Sequence, residues 1–274
     1  MVHRYIAARK DVMDPERLKY AAQPILKFFG DIPVDQITEQ ECRNYTEWRE
    51  KAPGTVRREL GLLASVLRMG GYTNRLWRPD RPAPKQEFLS KEDAKRLLSK
   101  MSFHVGLFTR IALSTGQRKS AVLGLTWDRV DLERKILDFN EPGRRITKKR
   151  RAVTPIGNQL RAALANQKEV AFTDHVIEWD GKPVANIKKG FNRAAKDAGV
   201  PWCTPHTLKH TAISWLAEAD YSIDQISDMT ATDQETVKRI YRKFNPNYLR
   251  DIADHMDMEV FDEIQSMDKR RKNK

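Results

Sequence analysis

The chain has 274 residues, 40 % of them apolar and 32 % charged, with 50 Lys+Arg against 37 Asp+Glu for a formal net charge of +13. That length suits two domains with real cores, and no run of about 18 apolar residues exists to form a membrane-spanning helix. The opening MVHRYIAARKDVMD lacks the apolar stretch of a secretory signal, and two distant cysteines, Cys42 and Cys203, exclude a disulfide framework and fit a reducing cytosol. The positive excess calls for a polyanionic partner. It is spread through folded-looking segments rather than gathered on one amphipathic helix, which favours nucleic acid over an anionic membrane.

Residues 15–69 read as helical. Leu18, Ala21, Ala22, Ile25, Leu26 and Phe29 recur at helical spacing, with Gly30 as the C-cap. A second helix fits residues 38–48. A third fits 55–69, with Val56, Leu60, Leu63 and Leu67 on one face and Arg57, Arg58 and Arg68 off it. Gly70-Gly71 then opens a segment with prolines at 79, 82 and 84, which reads as a stiff, extended linker. A new unit begins at Ser90-Lys91-Glu92-Asp93, a capping-box pattern. Residues 105–125 fit two helices split at Thr115-Gly116. Strand-like runs follow at 136–139, 151–156 and 175–179, the last leading into an Asp180-Gly181 turn. Helical patterns return up to about residue 198, over 207–220 and over 248–264, ahead of a basic tail, DKRRKNK. The expected class is mainly α: a small helical domain with its linker over 1–82, and over 83–274 a mostly helical domain with a small antiparallel β-sheet.

Four clusters in the second domain carry candidate chemistry. In Ser114-Thr115-Gly116-Gln117-Arg118-Lys119, a glycine turn feeds a helix whose first residues include Arg118. A guanidinium and free amides there can hold a phosphate, although Arg118 taken alone reads more readily as a surface arginine. The run from Arg144 to Arg151 lies between two strand patterns; it fits a basic hairpin tip entering a DNA groove and equally a solvated loop. In Thr204-Pro205-His206-Thr207-Leu208-Lys209-His210, a helix starting near His206 places 206, 209 and 210 on one face. Two histidines at that spacing suit zinc, but this is not an HExxH motif and no third ligand stands nearby. The fourth cluster runs from Ala231 to Tyr241, and a phenol with a pKa near 10 is a poor nucleophile until activated.

Taken in order, an arginine, a hairpin lysine, His-x-x-Lys-His-Thr and a tyrosine in one basic chain resemble the catalytic domain of the tyrosine recombinase (phage integrase) family. FFGDIPVDQIT and GTVRRELGLLASVL resemble the core-binding domain of that family. TGQRKSAVLGLTWDRVDL, TKKRRAVTPI, WDGKPVANIKKGF, TPHTLKHTAISWLAEA and RIYRKFNPNYLRDIA resemble its catalytic domain. The likeness covers nearly the whole chain.

The resemblance implies a site-specific recombinase that cleaves and rejoins double-stranded DNA through a 3′-phosphotyrosyl intermediate, moving a mobile element without metal or nucleotide cofactor. Arg118 matches the first arginine, Lys148 the hairpin lysine (Lys149 is the near alternative), His206 the first residue of HxxR, and Tyr241 the nucleophile. Lys209 stands where the second arginine is expected and Thr232 where histidine or tryptophan is usual, and both imply weaker catalysis. Arg57, Arg58, Lys149, Arg150 and Arg151 become expected DNA contacts. A homo-tetramer on paired sites, an accessory directionality protein and a bacterial, nucleoid-associated cytoplasmic location follow from the same likeness. The segment after Tyr241, with Leu249, Ile252, Met256, Val260 and Phe261, resembles a helix that docks on a neighbouring subunit, and equally fits a helix that packs on its own subunit. A recombinase-derived DNA-binding protein without strand exchange, and a nicking enzyme of the topoisomerase IB type, are the competing readings.

Overall fold

The computed structural model describes residues 1–9, 15–82, 87–144, 150–245, 247–250 and 252–254. The chain divides into two compact units, Met1–Gln86 and Glu87–Lys274. Among the described residues no helix is long and apolar enough to cross a membrane.

The first unit is all helical: α1 (Val2–Ala8), α2 (Pro15–Phe29), α3 (Glu39–Arg49) and α4 (Pro53–Met69). Leu18, Ala22, Ile25 and Phe29 of α2 meet Val56, Leu60, Leu63 and Leu67 of α4 in one core, the stripe that helical spacing predicts. α4 begins two residues before the expected Thr55, because Pro53 fixes the backbone angle that a first helical residue needs. α1 carries too short an apolar pattern to be recognised in the sequence, yet it buries Tyr5 in this core. Glu59 of α4 is buried and fully partnered. It accepts from Tyr45 Oη at 2.7 Å and from two Arg49 nitrogens at 3.1 Å each, which ties α3 to α4.

The proline-containing segment is not a free linker. Asn74 Nδ2 donates to the Val34 and Ile37 carbonyls, Leu76 and Trp77 pack on the helical core, and the Arg43 guanidinium lies 4.4 Å from the Trp77 ring centre. Arg57 donates to the Pro79 carbonyl. Its guanidinium is therefore engaged within the unit, whereas Arg58 is exposed.

The second unit runs α5 (Lys91–Ser99), α6 (Phe103–Thr115), α7 (Lys119–Leu123), β1 (Val130–Asp131), β2 (Ile136–Asp138), β3 (Val153–Pro155), α8 (Asn158–Glu169), β4 (Glu178–Trp179), β5 (Lys182–Pro183), α9 (Lys188–Asp197), α10 (Pro205–Glu218), α11 (Ile223–Thr230) and α12 (Gln234–Phe244). The expected capping box at Ser90 is half made. Ser90 Oγ accepts from the Asp93 amide at 3.0 Å, but the Asp93 carboxylate pairs with Arg96 instead of returning to the cap. Strands β1, β2 and β3 form an antiparallel sheet with Leu137 opposite Val130 and Thr154, shorter than the apolar runs suggested. Of the 175–179 run only Glu178–Trp179 is a strand. It pairs with β5 across Asp180-Gly181, both at positive φ, as a two-residue hairpin requires.

α10 packs against α6, α11 and α12. Its residues Ile213 and Ala217 join Ile226, Val237 and Ile240 in a core of their own, with Tyr241 and Phe244 packed against it. α8, α11 and α12 fill stretches where the sequence reading marked no helix. Beyond α12, the described part of the expected 248–264 helix has turns at 247–249 and helical residues at 250 and 252–254, with Leu249 and Ile252 each 60 % exposed. Met256, Val260 and Phe261 lie outside the described residues.

Candidate active site

The site is built where α6 ends. Gly116 closes that helix in the left-handed region (φ 61), and a Cβ there would sit 2.5 Å from Thr230 Cγ2. Only glycine accepts both the angle and the approach of α11. The next two residues turn back onto the end of α11, which leaves helical geometry at Ala231 (φ 49). Helix ends carry carbonyls without intrahelical partners. Here three successive carbonyls take side-chain donors from separate segments. Gln117 Nε2 reaches Met229 O at 3.2 Å, Lys209 Nζ reaches Thr230 O at 2.5 Å, and an Arg118 Nη reaches Ala231 O at 3.2 Å. Lys209 also donates to Gly116 O at 2.9 Å, so one ammonium holds the ends of α6 and α11 together.

Thr204 caps α10 in a full capping box with Thr207. That places His206 in the first turn and Lys209 and His210 one turn on, as the spacing predicted. Lys209 is 5 % exposed. Burial, helped by Arg118 and Arg151, pushes its ammonium down to about 7. Burial also lowers the His206 imidazole, with Lys209 and Arg118 adding to the effect. The His206 and His210 rings meet edge to face at 4.8 Å. No group of three His, Cys, Asp or Glu able to hold a metal occurs among the described residues.

Arg118 also donates to the Arg150 carbonyl at 3.2 Å, which brings the end of the basic hairpin to the same place. Arg151 Nη2 donates to Ser120 Oγ at 3.0 Å, and the Arg150 side chain is exposed. Burial lowers the Arg118 guanidinium, Asp233 opposes this, and Arg144 adds to it. Lys148 and Lys149 lie outside the described residues.

Thr232 is buried. Its hydroxyl lies 2.8 Å from Thr230 Oγ1 and 3.4 Å from the Thr230 carbonyl, and its own carbonyl accepts from Ser227 Oγ. That hydroxyl therefore faces inward.

Tyr241 is not gathered with Arg118, Lys209 and His206. Its hydroxyl donates to Asp220 Oδ1 at 2.7 Å, just past the far end of α10. His206 stands at the other end of that helix, so roughly 20 Å of helical rise separates the two positions. The bond to Asp220 raises the phenol's pKa, and burial adds to the shift.

Sequence reasoning missed Gln117, Ser120, Asp220 and Asp233. Asp233 alone left a readable signal, an Asp-x-x-Thr N-cap whose carboxylate accepts from the Thr236 amide at 2.9 Å. The others act through partners distant in the chain.

Residues 87–247, more than half of the chain, match the family model described as phage integrase family, and the chain belongs to that family. It is 25 % identical over 201 residues to the integrase of Salmonella phage P22, a match covering 64 % of this chain and 49 % of that protein. The chain thus spans about half the length of that relative. It is 26 % identical over 213 residues to the tyrosine recombinase XerA of Thermococcus kodakarensis, covering 72 % and 74 % of the two chains. The fold is also that of the Tn1549 transposon integrase, solved with circular intermediate DNA, at a TM-score of 0.75 and 15 % identity over 93 % of this chain and 98 % of that one.

Proposed function

We propose that this chain is a site-specific DNA recombinase that breaks and rejoins duplex DNA through a phosphotyrosyl bond to Tyr241. The observation that carries this reading is the convergence of Arg118, from the turn after α6, and Lys209, from α10, on the adjoining ends of α6 and α11, with His206 one turn before Lys209 and within the electrostatic reach of both cations.

A phosphodiester repels an approaching phenolate, and its charge must be neutralised as the pentacoordinate state forms. Arg118 supplies that charge in a fixed fork. His206, with its imidazole biased toward the neutral form, can donate its N–H to a non-bridging oxygen and keep its other nitrogen as an acceptor. Lys209 gives two N–H groups to main-chain carbonyls and acts here as a strut that positions the Arg118 turn. The Tyr241 oxygen would attack phosphorus as its proton passes to water, the bond to the 5′ oxygen would break, and Lys148 would protonate that leaving oxygen. Attack by a 5′ hydroxyl reverses the step, so no outside energy source is consumed. Arg58, Lys149 and Arg150 would contact the DNA backbone, and four copies on paired sites would carry out exchange, with the exposed Leu249 and Ile252 available to a neighbouring copy.

A second reading has support of its own. Tyr241 bonded to Asp220 and Thr232 turned inward suit a recombinase-derived DNA-binding protein with weakened cleavage. A pool of nicked duplexes with randomised sequence separates the two. A recombinase leaves DNA attached to the protein through SDS denaturation, because strand religation is lost once the nick releases a short fragment. Retention of DNA under native conditions with none surviving SDS would favour the binding protein.

A further inference from the structure

The family pattern places a second arginine at position 209, and this chain has lysine there. That lysine is 5 % exposed and already committed to the carbonyls of Gly116 and Thr230. A lysine head is also a point charge without the planar fork that grips two phosphate oxygens. On these grounds the scissile phosphate lacks its second guanidinium.

Arg151 is placed to supply it. The residue follows Arg150, whose carbonyl accepts from Arg118, so the chain at this point runs beside the Arg118 guanidinium. Arg151 Nη2 donates to Ser120 Oγ, two residues beyond Arg118. This bond orients the fork and leaves the other terminal nitrogen over. That nitrogen, Nη1, is buried and has no hydrogen-bond partner. A buried guanidinium nitrogen without an acceptor is costly, and an anionic acceptor would remove that cost. The surroundings point the same way. Arg118, Arg144 and Arg129 place like charge near Arg151, and Glu141 is the carboxylate that faces it. Lys209 lies close enough to feel both Arg118 and Arg151. A cluster of cations with a vacant buried donor is complementary to a dianionic or monoanionic phosphate oxygen set, not to an apolar or cationic ligand.

We infer that Arg151 is the second phosphate-gripping guanidinium of this site, in the role that position 209 fills elsewhere in the family. The assignment rests on the recombinase reading above. It makes Arg151 a catalytic residue, since Nη1 would bond a non-bridging oxygen of the reacting phosphate while Arg118 bonds the other.

The test uses a nicked duplex recovered from the randomised pool, prepared with either the natural phosphate or an uncharged methylphosphonate at the cleavage position. Arg151→Ala should slow covalent adduct formation on the phosphate by about 10²–10³-fold, the cost of losing one strong donor to a developing oxyanion. On the methylphosphonate, which carries no charge to neutralise, the loss should fall below about tenfold. Arg151→Lys, which keeps the charge but not the fork, should also be slow on the phosphate. An equal loss on both substrates, or none on either, would overturn the assignment and leave Arg151 a packing residue. If wild-type protein forms no adduct at all, the recombinase reading fails on its own. Titration of the protein with inorganic phosphate, followed through the arginine Nε–H resonances, then decides Arg151 separately: movement of the Arg118 and Arg151 signals together supports the site, and an unmoved Arg151 signal rejects it.

Discussion

The hydroxyl of Tyr241 donates to Asp220 Oδ1 at 2.7 Å, and Asn245 Nδ2 donates to the same oxygen at 2.6 Å. One carboxylate oxygen thus fastens the last turn of α12 and its C-cap to the α10–α11 turn. Asp220 itself holds positive φ (60), a conformation that glycine adopts freely. The bond also pushes the Asp220 carboxyl below the usual carboxylate range. In this arrangement the phenol is tied to the end of α10 opposite His206 and is harder to ionise.

Asp220→Gly should therefore speed covalent adduct formation several-fold, because it removes the acceptor while keeping the backbone angle. Single-turnover trapping on the nicked duplex measures this. A rate equal to or below that of the wild type would show that the Asp220 bond does not restrain Tyr241.

Lys209 makes a pH prediction. Its ammonium is pushed down to about 7 by burial first, then by Arg118 and Arg151, whereas an unfolded lysine titrates near 10.4. Between those values the unfolded chain binds a proton that the folded chain does not, so stability rises with pH across that window. Below about pH 7 both states are protonated and the full penalty of burying the charge applies. Urea unfolding of wild type and Lys209→Met should diverge accordingly, with the wild type gaining about 2 kcal/mol relative to the variant between pH 7 and pH 9. A constant difference over that range would mean that Lys209 keeps its proton in the fold.

Gly116→Ala tests the turn that carries Arg118. The added methyl meets Thr230 Cγ2 at 2.5 Å and the backbone must hold φ 61. The expected loss is about 2–4 kcal/mol in urea unfolding, from overpacking and left-handed strain together. In a Thr230→Ser background the clashing methyl is gone and the hydroxyl stays, so the loss should shrink by about 1–2 kcal/mol. An undiminished loss in that background would place the cost in the backbone angle and in the remaining 2.9 Å approach to Thr230 Cβ rather than in the Cγ2 contact.

Much of this was legible in the sequence because the determining interactions are local. The α4 stripe, the break at Gly116, the Asp180-Gly181 hairpin and the shared face of His206, Lys209 and His210 all depend on residues within about two turns of one another. The strands were overestimated because their ends are set by pairing such as Leu137 with Thr154, not by apolar content. The site partners were hidden for a similar reason. Arg118 bonds a carbonyl 113 residues away, and Tyr241 bonds an acid 21 residues back. Arg57 looked free on its helix and proved to be tied to Pro79 in a segment read as a linker.

The measurement that bears most directly on the central claim is identification of the residue that becomes attached to DNA. Adducts recovered from the randomised nicked pool are digested with nuclease and protease, and the modified peptide is read by mass spectrometry. The expected result is a nucleotide on Tyr241, lost in Tyr241→Phe while native DNA binding persists. Attachment to Tyr248 or another residue, or an adduct that survives Tyr241→Phe, would contradict it.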